Sequence, residues 1–121
     1  MNYVKRYRHR MSVVLCVRLW PAAGEEDSLA AYEDQVLALL PEHGGRLVAR
    51  VRAIPDTATT QGVTAGAEDA AAGGHPFETQ IIEFARDEGL DAYMRDPRRV
   101  AASDVRDRVI ARTDIQPVAL V

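Results

Sequence analysis

Residues 44–54 read GGRLVARVRAI, two glycines followed by a run in which apolar side chains alternate. Glycine enters the left-handed region at a helix C-cap without steric penalty, so Gly44 and Gly45 predict the end of a helix. The alternation that follows predicts a strand over 46–54, with Leu47, Ala49, Val51 and Ala53 on one face and Val48, Arg50 and Arg52 on the other. Upstream, Leu29, Tyr32, Val36, Leu39 and Leu40 recur at helical spacing, and Asp27 or Ser28 is placed to cap a helix that runs to about His43. The junction is thus a helix, a sharp stop and a strand.

Outward from that junction the other elements follow. Residues 12–20 are rich in β-branched and aromatic side chains and end at Pro21, which predicts a first strand closed by a turn. Residues 55–75 are mostly Ala, Gly and Thr and cannot bury enough surface to offset the entropy of ordering, so a long mobile loop is expected there. Residues 77–84 predict a third strand, with Phe77, Thr79 and Ile81 opposed to Glu78, Gln80, Ile82 and Phe84. Asp87 is placed to cap a helix carrying Leu90, Tyr93 and Met94. Asp96-Pro97 interrupts that helix, and a second segment presents Val100, Ala101, Val105, Val109 and Ile110. The pairs Asp91 with Arg95 and Asp104 with Arg108 mark its solvated side. Residues 115–121 complete the chain as a fourth strand.

The order β-α-β-β-α-β is the ferredoxin-like, split βαβ arrangement: an α+β domain with two helices on one face of a four-stranded antiparallel sheet. Its other face is left bare. The first strand is apolar at almost every position and the last holds Val118, Leu120 and Val121, so a homodimer through the sheet faces is expected to cover it.

With 121 residues, 47% of them hydrophobic, the chain fits one domain. Its longest apolar run, 13–20, is broken by Arg18 and falls well short of the roughly 18–20 residues of a membrane span. Residues 1–11 read as a basic arm with Lys5, Arg6, Arg8 and Arg10, ahead of a single domain over 12–121. The arm lacks a long apolar region and cleavage site, so it is not read as a signal peptide, and Met11 is an alternative start to Met1. From Ser12 onward 11 basic residues face 18 acidic ones, a balance that argues against a nucleic-acid partner. The single cysteine, Cys16, excludes an intrachain disulfide and suits a reducing, cytoplasmic compartment.

With these elements in order, the chain resembles the dimeric α/β-barrel superfamily, antibiotic-biosynthesis monooxygenase-like proteins and related uncharacterised small bacterial domains, over residues 12–121. The likeness is carried by GGRLVAR at 44–50 and by Ile81-Ile82-Glu83-Phe84 through Leu90, Tyr93 and Asp96-Pro97. It implies a homodimer whose two sheets pack into a barrel, with a small-molecule pocket between sheet and helices in each subunit. The superfamily spans cofactor-independent oxygenases, haem-degrading enzymes, lactone isomerases and decarboxylases, haem peroxidases and amino-acid-sensing modules, so the resemblance implies no single reaction. No catalytic motif of those enzymes is matched residue by residue, and the 55–75 loop departs from their usual short connection.

The candidate site residues follow from this frame. Trp20, ending the first strand, either packs at an edge or lines a pocket mouth. Arg18, Arg50 and Arg52 are expected to share a face with Glu78 and Gln80, as a binding surface for a carboxylate or enolate or as cross-strand or interfacial ion pairs. His75, beside the loop, and Glu78 are the candidates for moving a proton. Tyr32 and Tyr93 belong to the core stripes and would offer hydroxyls to any pocket there. His43 suits the C-terminal end of the first helix, and His9 lies in the arm. Three dispersed histidines and one cysteine show no metal-ligand spacing, and no glycine-rich loop precedes a helix to cradle phosphate. The expectation is an enzyme of small-molecule metabolism without metal or nucleotide cofactor, which oxygenates, isomerises or cyclises a carboxylated or aromatic intermediate. Arg50 or Arg52 would hold the ligand's charge, while Trp20, Tyr32 and Tyr93 would shape the cavity. The alternative is a non-catalytic ligand-binding or protein-interaction module.

Overall fold

The computed structural model describes residues 12–54 and 74–121. The basic arm and the loop, apart from residues 74 and 75, lie outside the described residues. The elements are β1 (Val13–Pro21), α1 (Glu26–Leu37), a 3-10 turn (Leu40–His43), β2 (Gly45–Arg52), β3 (Glu78–Phe84), α2 (Asp87–Met94), α3 (Pro97–Ala101), α4 (Ser103–Val109) and β4 (Ile110–Val118). The strands form one sheet in the order β2-β3-β1-β4 with every neighbouring pair antiparallel, which is the ferredoxin-like α+β arrangement. Among the described residues no helix is long and apolar enough to cross a membrane.

The glycine pair has two separate physical roles. Gly44 adopts φ 71°, the left-handed C-cap of the 3-10 turn. Gly45 supplies space, because a Cβ there would sit 2.7 Å from the Phe84 ring. The α-helix itself stops at Leu37, and Pro41 stands near the start of the 3-10 turn, where its missing N–H costs no bond.

Several expected boundaries are corrected. Glu25, rather than Asp27 or Ser28, occupies the N-cap of α1 without a side-chain cap bond, and Glu26 and Asp27 instead place negative charge in the first turn. Arg86 precedes α2, so Asp87 is its first residue and not its cap. The side chain that does cap a helix is Asp96, which accepts a hydrogen bond from the Arg98 backbone N–H at 2.8 Å. The fourth strand begins at Ile110, five residues before its expected start, and ends at Val118. Ladder pairing with β1, from Val14↔Val118 to Pro21↔Ile110, draws those residues out of the helical pattern. The alternation of β2 is also interrupted: Leu47 stands opposite Ile82, but after a bulge Ala49 and Val51 stand opposite Ile81 and Thr79.

Register also corrects the expected face of Arg18. Directly opposed residues in an antiparallel pair project to the same face. Val17 and Leu19 face Gln80 and Glu78, whereas Arg18 faces Thr79 and Asp114. Arg18 therefore lies on the opposite side of the sheet from Arg50, Arg52, Glu78 and Gln80.

The helices cover the side that carries Val17, Leu19, Ile82 and Phe84. One buried cluster joins Leu19, Leu29, Tyr32, Val36 and Val109, and a second joins Leu37, Leu40, Ile82, Phe84 and Tyr93. On the other side lie Cys16, Arg18, Ala49, Val51, Thr79 and Ile81, against which no described helix packs.

Candidate functional site

A cavity of about 290 Å³ lies between the sheet and the helices. Leu15, Val17, Ile82 and Phe84 supply its sheet-side wall, and Val36 and Leu90 close it from the helices. Met94, Val100 and Ile115 also line it while remaining exposed, so they mark its solvent side. Into this apolar space project Tyr32 and Glu33 of α1, Gln80 of β3, Arg99 of α3 and Arg106 of α4.

Glu33 is the unexpected member. It is 7% exposed, because it lies four residues after Leu29 and three before Val36 and so rides on the stripe that faces the sheet. Gln80 Nε2 donates to Glu33 Oε1 at 2.8 Å and to Glu78 Oε2 at 2.6 Å, which uses both amide hydrogens. Burial pushes the Glu33 carboxyl above its ordinary range, with the charge of Glu78 adding to the rise, although the hydrogen bond from Gln80 opposes it. Sequence reasoning missed Glu33 because a glutamate in a helix is read as solvent-facing by default. Its register with Leu29 and Val36 was the available signal.

Glu78 has the opposite character. Burial alone would raise its pKa, but hydrogen bonds from Arg50, Gln80 and Arg52 outweigh that and hold the carboxyl below its usual range. Arg50 Nε donates to Glu78 Oε2 at 2.7 Å and Arg52 Nε to Glu78 Oε1 at 2.9 Å. Arg50 also reaches Asp34 on α1 at 2.6 Å, tying the helix to the sheet edge. Arg50, Arg52 and Glu78 thus form a cross-strand ion-pair network beside the cavity rather than in its wall.

The remaining sequence candidates separate cleanly. Tyr32 and Tyr93 both line the cavity. The Tyr93 hydroxyl donates to the Val36 carbonyl at 2.9 Å, and burial pushes its pKa up to about 12. Burial likewise raises Tyr32. Trp20 is outside the cavity wall: its indole N–H donates to the Gly74 carbonyl at 3.2 Å and the Arg112 guanidinium lies 4.2 Å from its ring centroid. His75 is exposed and also outside the wall.

Arg99 lies 4.6 Å from the centroid of the Tyr93 ring. Its Nη1 meets Met94 Sδ at 3.3 Å, and its Nε is buried with no hydrogen-bond partner. A separate polar cluster joins His43 to Asp96 at 2.8 Å, with Arg98 bridging Asp96 and Glu42. Arg98 and His43 hold the Asp96 carboxyl well below the usual carboxylate range. Among the described residues, no group of three or more His, Cys, Asp or Glu side chains is arranged to hold a metal ion.

Fold and cavity together define a ferredoxin-like α+β domain with an internal space between sheet and helices. No protein-family model matches the sequence, and no curated protein matches it. Solved structures do match. A dimeric ferredoxin-like protein of unknown function from Thermobifida fusca is 15% identical, with a TM-score of 0.58 over 91% of this chain and 92% of its own. A NIPSNAP family protein of unknown function from Agrobacterium tumefaciens is 15% identical, with a TM-score of 0.60 over 91% of this chain and 88% of its own. A protein of unknown function from Rhodopseudomonas palustris is 13% identical, with a TM-score of 0.65 over 99% of this chain and 92% of its own. These likenesses are of fold, and they agree with the resemblance to uncharacterised small bacterial domains.

Proposed function

We propose that the protein binds a small, mainly apolar organic molecule in the cavity and moves a proton on it through Glu33. The observation that carries this reading is a carboxyl group, 7% exposed, on the wall of a largely apolar cavity. Gln80 fixes Glu33 Oε1, and among the described residues Oε2 makes no protein hydrogen bond, so Oε2 is the oxygen offered to a ligand. A carboxyl whose pKa is raised by burial exchanges its proton at less acidic pH than an exposed one, which suits it to carry a proton between two positions of a ligand. Isomerisation and cyclisation both need such a shuttle. Glu33 thereby takes the role that sequence reasoning gave to His75 or Glu78, with Tyr32 and Tyr93 as cavity walls.

The test has two parts. Native mass spectrometry of protein purified from cells is expected to show bound small-molecule mass, and the identified ligand is then offered to Glu33→Gln. Retained binding with turnover reduced by about 100-fold or more supports proton transfer, whose usual contribution is 10²–10⁴-fold. Unchanged turnover removes Glu33 from the chemistry, and binding without turnover in the unaltered protein favours a ligand-binding module.

A homodimer through the bare sheet face belongs to the same proposal. Val51 on that face is 57% exposed, and the Thermobifida fusca neighbour is described as dimeric, which supports the reading. The acidic balance of the domain supports small-molecule rather than nucleic-acid binding, and the lone cysteine supports a cytoplasmic setting.

A further inference from the structure

We infer that the cavity's ligand is an organic carboxylate, its anionic head seated on Arg99 and its apolar body against Val17, Ile82 and Phe84. The inference rests on the cavity being a ligand site and adds the class of ligand that site selects.

Arg99 differs from its neighbours in how its charge is met. Arg50 and Arg52 are spent on Glu78, Arg98 on Asp96 and Glu42, and Arg46 on Glu83. No described carboxylate lies within ion-pair distance of Arg99, although one of its N–H groups is buried. Arg18 Nε is also buried and unbonded, but that side chain has Asp114 at 3.5 Å and lies on the other face of the sheet. The Tyr93 ring covers the Arg99 guanidinium in a cation–π contact, and the thioether of Met94 is only a weak acceptor for Nη1.

A buried donor left unbonded is costly, and a guanidinium edge fits the two oxygens of a carboxylate. A neutral ligand could accept a hydrogen bond from the guanidinium but would leave its charge unmatched. Arg106 adds a second cation to the same wall, and its only ion pair among the described residues, with the adjacent Asp107, is a long one at 3.5 Å. Among the described residues Glu33 is the wall's one carboxyl, set against the guanidinium groups of Arg99 and Arg106, so positive charge predominates. A phosphate dianion would demand more donors than this largely apolar wall presents, whereas a monoanionic carboxylate on a hydrocarbon or aryl body matches one guanidinium edge and apolar surroundings. At about 290 Å³ the space is at the low end of the roughly 300–1,000 Å³ of ligand pockets, which favours a small body.

The experiment titrates the full chain, followed by protein NMR, with a panel of small aryl and alkyl carboxylates and their matched amides, phenylacetate against phenylacetamide among them. The expected result is that carboxylates perturb cavity residues and bind about ten- to a hundredfold more tightly than the amides, the range of one charge-assisted hydrogen bond. Arg99→Met is expected to abolish that preference and Arg99→Lys to keep part of it; Arg99→Gln replaces the first variant if it does not fold. Equal binding of carboxylates and amides at the cavity overturns the carboxylate class while leaving the cavity as a ligand site. Absence of any perturbation at the cavity by either series overturns both.

Discussion

Glu33 and Glu78 are joined through a single amide, that of Gln80, yet their surroundings drive their protonation in opposite directions. Because burial raises the Glu33 pKa in the folded state, the native protein retains a proton that the unfolded chain releases. Its contribution to stability is fully present below the unfolded carboxyl value, about 4.3, and is lost as pH rises through the folded value. Glu33→Gln keeps an oxygen to accept from Gln80 and carries no charge. It is therefore expected to gain stability relative to the unaltered protein as pH rises from about 4 toward neutral, measured by urea unfolding across a pH series. A difference that stays constant with pH would contradict the buried acid. At this scale Tyr32 and Tyr93 were readable from the sequence, because aromatic residues on an apolar stripe point inward. Glu33 shared that stripe but was masked by the general rule that charges face water.

The elements show where local pattern ends and pairing takes over. The helical spacing of Val105, Val109 and Ile110 continues past the true end of α4, and nothing in the stretch itself says that Ile110 is strand. That limit is set by β1, whose far end needs a ladder partner. The break at Asp96-Pro97 was readable, since proline at the first helical turn and an aspartate before it form a helix start in any context. The attachment of α2 was not. A Cβ at Gly89 would run into the His43 backbone carbonyl, so the helix and the 3-10 turn approach more closely than any side chain allows. Gly89→Ala is expected to destabilise the fold by about 1–3 kcal/mol, as overpacking does, despite alanine's better helix propensity. A denaturation midpoint equal to or above that of the parent protein would show that the contact yields freely.

For the whole molecule, the bare sheet face sets the expected assembly. Placing a charge on it, as in Val51→Lys with Ala49→Lys, is expected to convert a dimer to a monomer by light scattering without loss of secondary structure, because both positions are exposed in the single chain. A dimer that persists would move the interface elsewhere. The element order, the antiparallel sheet and the one-sided helices were determined by the sequence alone, through hydrophobic period, the Gly44-Gly45 stop and Asp96-Pro97. These are local signals, because each depends on residues within a turn or two of one another. The face of Arg18, the inward Glu33, the early start of β4 and the unmatched Arg99 were decided only by tertiary structure. Each depends on which strand or helix lies opposite, and cross-strand register and burial are properties of paired segments far apart in the chain.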